Sequence, residues 1–305
     1  MNRHDIDWRG YIPAITTPFN DRDQLDIPML GSLLEWLHQE GMHGIVVAGT
    51  TGEWFSMTLE EKFQLYKTTG DILSGKITLV AGCNAFTARE VIVLAAQAQA
   101  CGFDGILVTP PPYAKPSARE IYAFYEDINA AVNLPICIYN WPPGTGIDMD
   151  LSLLRKISSL DKVVALKNST GDSSKFVLEA EALHDDLRIF GAPMNDFGAR
   201  LVLDKKSDGL MGAGAVLGRN QPAFFDELWR GNLDKALSFG AMDRRIMNDW
   251  FDVNYMAKFG SAQAIMKTAL NLQRLPGGNP RRPILPLKEN EQAIIRASLA
   301  DLGIL

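Results

Sequence analysis

The sequence predicts an α/β fold, a (β/α)8 TIM barrel with a C-terminal helical extension, and three observations predict it. Eight short, solidly apolar runs alternate with stretches of helical periodicity, as strands covered on both faces should. No linker, low-complexity stretch or change of composition interrupts the alternation over roughly 220 residues, which suits a closed barrel better than an open sheet. From Gln221 onward the periodicity is helical only. The expected organisation is therefore a barrel over residues 1–220 and a helical extension over 221–305, in a chain long enough for a large core.

The first expected strand is Tyr11–Thr16. Asp26 as cap and Pro28 in the first turn then open a helix running to Glu40. Gly44–Ala48 is the second strand; it ends in Gly49-Thr50-Thr51-Gly52-Glu53, and Thr58-Leu-Glu-Glu61 is a capping box for the next helix. Ile77–Ala81 precedes a helix over Ala88–Ala100, and Gly105–Thr109 precedes one opened by Ser117-Ala-Arg-Glu120. Pro135–Tyr139 leads to a helix at Leu151–Ile157, and Val163–Lys167 to one from Ser173 to Leu183. Leu187–Gly191 leads to Asp196–Leu203, and Asp208–Met211 runs into the loop Gly212–Gly218. In the extension, helices are expected at Ala223–Arg230, Leu233–Met256, Ala262–Leu272 and Glu289–Leu302, with a break at Pro276-Gly-Gly-Asn-Pro280.

Composition excludes several classes. With 47% hydrophobic and 22% charged residues and a net charge of -6, the chain has no basic surplus with which to hold nucleic acid. Three cysteines in apolar surroundings with no paired spacing read as reduced core residues, which implies a cytoplasmic location. The N-terminus lacks the apolar core of a secretory signal, and no run is long enough for a membrane span. Of the four histidines, His38 and His43 are the one nearby pair, so no metal site is legible and no cofactor is expected. Gly212-Ala-Gly-Ala-Val-Leu-Gly218 looks like a dinucleotide fingerprint, but its spacing is wrong and Pro222 falls where the required helix should run, against an NAD oxidoreductase.

Chemistry is most visible at three strand ends. Lys162-Val-Val-Ala-Leu-Lys167 carries an apolar strand straight into a lysine with no carboxylate beside it in sequence. Desolvation there disfavours the ammonium form, lowers the pKa and frees the amine as a nucleophile towards a carbonyl carbon; a lysine that merely reaches solvent is the alternative. The fifth strand ends at Tyr139, and adjacency of strands five and six sets a phenol beside that amine, the acid/base that imine chemistry needs. A buried tyrosine can otherwise be a core residue with its hydroxyl satisfied. Gly49, Thr50 and Thr51 offer close backbone approach and donors suited to a carboxylate, although a simple turn reads the same way. Gly191, at the end of the seventh strand, is a further candidate for substrate binding.

At these intervals, Gly49-Thr-Thr-Gly-Glu53, Tyr139-Asn140 with Thr145-Gly146, and Leu166-Lys167-Asn-Ser-Thr-Gly171 resemble the dihydrodipicolinate synthase / N-acetylneuraminate lyase family of Schiff-base aldolases and lyases. Val108-Thr109-Pro110, Tyr113, Lys115-Pro116-Ser117 and Arg282-Pro-Ile-Leu-Pro286 extend the resemblance over nearly the whole chain. The resemblance implies that Lys167 forms an imine with a 2-oxo acid such as pyruvate and that Tyr139 shuttles protons. It also implies that Thr50 and Thr51 contact the substrate carboxylate, that Tyr113 reaches into a neighbour's site, and that the assembly is a homotetramer.

One departure bears on substrate. In dihydrodipicolinate synthases the loop after the tyrosine carries an arginine, in a Pro-x-Arg-Thr-Gly arrangement, that binds a second carboxylate; Gly144 occupies that slot here. Gly144 and Trp141 are expected to leave the outer pocket without a charged anchor, which suits a polyhydroxylated chain. The function read from the sequence is a 2-keto-3-deoxy sugar-acid aldolase or dehydratase, with 4-hydroxy-tetrahydrodipicolinate synthase as the alternative. A non-catalytic barrel that binds a 2-oxo acid is a more distant one.

Overall fold

The computed structural model describes residues 1–305. Eight parallel strands run β1 (Gly10–Tyr11), β2 (Gly44–Val47), β3 (Thr78–Gly82), β4 (Gly105–Val108), β5 (Ile136–Asn140), β6 (Val163–Asn168), β7 (Arg188–Phe190) and β8 (Gly209–Leu210). Their order in the sheet is β1-β8-β7-β6-β5-β4-β3-β2, each neighbour in sequence being a neighbour in space. The two ends meet: Val46 donates to the Pro13 carbonyl at 2.8 Å, Ile15 donates to the Val46 carbonyl at 3.0 Å, and Ala14 bridges both Val46 and Ala213. A closed (β/α)8 barrel results.

The first strand is shorter than its apolar run suggests. Pro13 has no N–H to give, so regular pairing stops at Tyr11 and the run continues as single bridges. Trp8 fills the barrel floor, so close to β4 that a Cβ on Gly105 would meet its ring at 2.4 Å.

Helices alternate with the strands: α1 (Ile27–Gln39), α2 (Leu59–Leu73), α3 (Ala88–Ala100), α4 (Ala118–Ala131), the short α5 (Pro142–Thr145), α6 (Leu151–Ser158), α7 (Ser173–Leu183) and α8 (Asp196–Leu203). Their starts follow local chemistry. The Asp26 carboxylate accepts from the Met29 amide at 3.0 Å, and Thr58 with Glu61 and Ser117 with Glu120 close capping boxes.

After β8 come α9 (Asn220–Trp229), α10 (Leu233–Trp250), α11 (Ala262–Leu272) and α12 (Glu289–Asp301). The expected helix over Leu233–Met256 thus ends six residues early, at Trp250. Asp252 carboxylate bonds to the Asn254 and Met256 amides fold the chain into a turn instead, and the Ser261 hydroxyl restarts it as α11. This correction matters, because the 251–261 segment roofs the C-terminal mouth of the barrel. No helix is long and apolar enough to cross a membrane.

One buried ion pair ties the extension to the loop after β2. Lys267, on α11, donates to Glu53 Oε1 and to the Asn279 carbonyl at 2.8 Å, while the Arg281 amide donates to Glu53 Oε2 at 2.9 Å. Glu53 and Lys267 are 0% and 1% exposed. Removing one partner strands a charge in the interior, so Lys267→Met should lower the urea-unfolding free energy by about 3–5 kcal/mol. The double change Glu53→Gln with Lys267→Met should cost less than the two single changes summed. A single-variant loss below about 1 kcal/mol would show that the pair does not hold the loop.

Candidate active site at the barrel mouth

In the pairing of β5 with β6, Tyr139 stands opposite Lys167. Lys167 is 6% exposed and has no carboxylate partner; its Nζ lies over the Tyr139 ring, 4.1 Å from the centroid. Burial pulls its pKa down to about 8, with Cys137 opposing weakly. At pH 7 about a tenth of such an amine is neutral, against about one part in three thousand at an unperturbed lysine.

Tyr139 is itself buried, which raises its pKa above the usual phenol value. The Ser169 and Thr50 hydroxyls bond to it and pull in the other direction. Trp141 lies parallel to the Tyr139 ring, 6.3 Å away between centroids. Behind them, Asn140 holds the loop in place: its side-chain oxygen accepts from the Met149 amide at 3.2 Å and its amide donates to Asp148 at 3.2 Å.

Thr50 and Thr51 follow β2 in a tight loop whose flanks, Ala48 and Glu53, have φ of 55° and 57°. Side chains disfavour that region, so the loop persists through outside contacts. Gln263 donates to the Thr50 carbonyl at 3.0 Å, Thr17 donates to the Gly52 carbonyl at 2.8 Å, and Lys267 holds Glu53.

These groups open on one cavity of about 920 Å³, lined by Thr50, Thr51, Tyr139, Trp141, Lys167, Ser169 and Gly191 on the barrel side. At Gly191, φ is +150° and a Cβ would meet the Asn168 carbonyl at 2.4 Å, so only glycine fits. A shallower groove of about 440 Å³ between Arg119 and Lys156 lies elsewhere on the surface.

Three sequence-predicted residues are not part of this cavity. Gly49 is packed beneath the loop, where it supports Thr50 through backbone bonds from Gly52 and Trp54. Gly144 lies exposed on α5, covered on its Cβ side by Trp141, whose ring a Cβ would meet at 2.1 Å. Tyr113 points into solvent, 91% exposed, with φ of 75°. The expectation of an outer pocket without charge is also corrected: Asp243, Arg244, Asp252 and Lys258, from α10 and the roof, line it. Ser169, in the Lys167 stretch, has no role legible in the sequence, and the roof is masked there by helical periodicity that continues past Trp250.

A closed barrel that presents a dry, unpaired amine against a phenol beside a large cavity defines a Schiff-base-forming lyase. The comparisons agree: the dihydrodipicolinate synthetase family model matches residues 7–302, and the chain belongs to that family. Two relatives, both called 4-hydroxy-tetrahydrodipicolinate synthase, come from Oceanobacillus iheyensis and Limosilactobacillus reuteri. The first is 27% identical over 95% of this chain and 96% of its own, the second 31% over 94% and 91%. The chloride-inhibited dihydrodipicolinate synthase of Acinetobacter baumannii, solved with pyruvate, superposes with a TM-score of 0.87 at 27% identity, covering 97% of this chain and 99% of its own. The relatives' names match the alternative activity read from the sequence rather than the sugar-acid one.

With the neutral amine of Lys167 as nucleophile, reductive trapping with pyruvate and borohydride is expected to speed up about tenfold per pH unit below pH 8 and level off above it. A rate still climbing through pH 10 would mean that burial does not depress this lysine.

Proposed function

We propose that this chain is a lyase in which Lys167 attacks the carbonyl of a 2-oxo acid, and the observation that carries the proposal is the unpaired Lys167 amine over the Tyr139 ring. The amine adds to the C2 carbonyl to give a carbinolamine. Tyr139, in contact with Thr50 and Ser169, relays a proton from the attacking nitrogen to the carbonyl oxygen and then protonates the departing hydroxyl, so that water leaves, an iminium remains and a proton from solvent restores the phenol. The iminium is an electron sink: it acidifies C3 and allows the C3–C4 bond to form or break. Thr50 and Thr51 donate to the substrate carboxylate, with Gly191 leaving room beside it.

Two second steps are supported by different observations. The relatives' names support 4-hydroxy-tetrahydrodipicolinate synthase, the condensation of pyruvate with aspartate semialdehyde. Glycine instead of arginine at position 144 and a cavity volume of about 920 Å³ support an aldolase or dehydratase of 2-keto-3-deoxy sugar acids. We also infer a tetramer, for which the exposed Tyr113 offers an interface side chain; a clean monomer mass by light scattering at micromolar concentration would reject it.

Lys167→Ala should abolish both borohydride trapping and turnover, and labelling that survives would put the chemistry elsewhere. Tyr139→Phe should keep the fold and slow turnover by roughly 10²–10⁴, the range for a lost acid/base group. Scoring pyruvate release and water loss from 2-keto-3-deoxy sugar acids against condensation with aspartate semialdehyde separates the two readings. Efficient condensation with no sugar-acid turnover would decide for the synthase.

A further inference from the structure

Of the two carboxylates that line the cavity, Asp243 and Asp252, only Asp243 is buried. It sits at the end of a committed chain of hydrogen bonds. The Tyr11 hydroxyl gives its proton to the Gly214 carbonyl at 2.8 Å, and Gln221 Nε2 donates to that hydroxyl oxygen at 2.7 Å and to Asp243 Oδ1 at 2.9 Å. Gln221 Oε1 accepts from the Leu217 amide at 3.3 Å, which fixes which way the side-chain amide points. Asp243 Oδ2 has no partner in the chain, and no lysine, arginine or histidine pairs with the carboxylate.

A buried carboxylate with most of its acceptor capacity unfilled is costly, and burial accordingly pushes its pKa up to about 6 against the pull of Gln221. Its position suggests what fills it. Through Gln221 the group is anchored to Tyr11 on β1, which lies three strands from β6 around the barrel, and it lines the same cavity as Lys167. Pyruvate bound at Lys167 would fill only a small part of a cavity of about 920 Å³. A longer 2-oxo acid would bring its far end to Asp243. There an acceptor-only group attracts hydroxyls, beside Arg244 and Lys258, which line the same cavity.

We propose that Asp243 is a specificity residue that accepts hydrogen bonds from hydroxyl groups on the far end of a 2-oxo acid held at Lys167. This rests on the Schiff-base reading above. A hydrogen bond to a charged acceptor contributes about 1.5–3 kcal/mol, or roughly 10- to 100-fold in affinity.

The test is borohydride trapping at Lys167, titrated with 2-keto-3-deoxygluconate and with 2-oxohexanoate, which has the same carbon count but no hydroxyls. In the wild-type chain half-saturation should come at a concentration at least about tenfold lower for the hydroxylated acid. Asp243→Asn keeps an acceptor for Gln221 but turns the free oxygen into a donor, and Asp243→Leu removes the group. In each the preference should shrink to within about threefold. An undiminished preference in the well-folded Asn variant, or none in the wild type, would overturn this inference alone. Failure to trap either acid or pyruvate in the wild type would overturn the Schiff-base reading, and this inference with it.

Discussion

The whole site depends on one constraint: an amine must be kept dry and left without a counter-charge. The molecule contains an internal control for that statement. Lys167 and Lys267 are both buried, and burial brings both to a pKa of about 8. Lys267 nonetheless has Glu53 and the Asn279 carbonyl as partners and lies outside the cavity, whereas Lys167 has only the face of Tyr139 and opens on it. Desolvation alone does not mark a nucleophile. Desolvation without a partner, at a place a carbonyl carbon can reach, does.

The two lysines also divide the labour of the fold. Backbone such as that at Ala48 and Glu53 relaxes unless its surroundings hold it. Here the surroundings are α11, through Gln263 and Lys267, and the Arg281 amide. The threonines that share a cavity with Lys167 are thus positioned from the far end of the chain, and the extension belongs to the site as much as the barrel does.

The sequence makes the barrel legible because its signals are local: apolar runs, capping boxes and the break after each strand. Tyr139 and Lys167 become legible together only through the barrel, since their pairing needs β5 beside β6. Gly144 and Tyr113 come from the family resemblance, and their positions depend on loop shape and on neighbouring chains, which residue order does not encode. The roof was hidden by a helical periodicity that carried past Trp250. Asp243 did leave a trace: it falls in the buried stripe Ala236, Gly240, Asp243, Ile246 and Trp250, at helical spacing. A carboxylate in an apolar stripe is a stronger signal than Gly49 or Gly144, neither of which lines the cavity.

The tie between Glu53 and Lys267 spans 214 residues of sequence, and this imposes a schedule on the ribosome. At about 5–20 residues per second, Glu53 is made roughly 10–40 s before the lysine that will neutralise it exists. During that interval Thr17 alone, of the outside contacts described above, is present to hold the threonine loop, although Lys167 is already being added to the chain. The nascent barrel therefore carries its candidate site in an incompletely braced form until α11 and Arg281 have been translated.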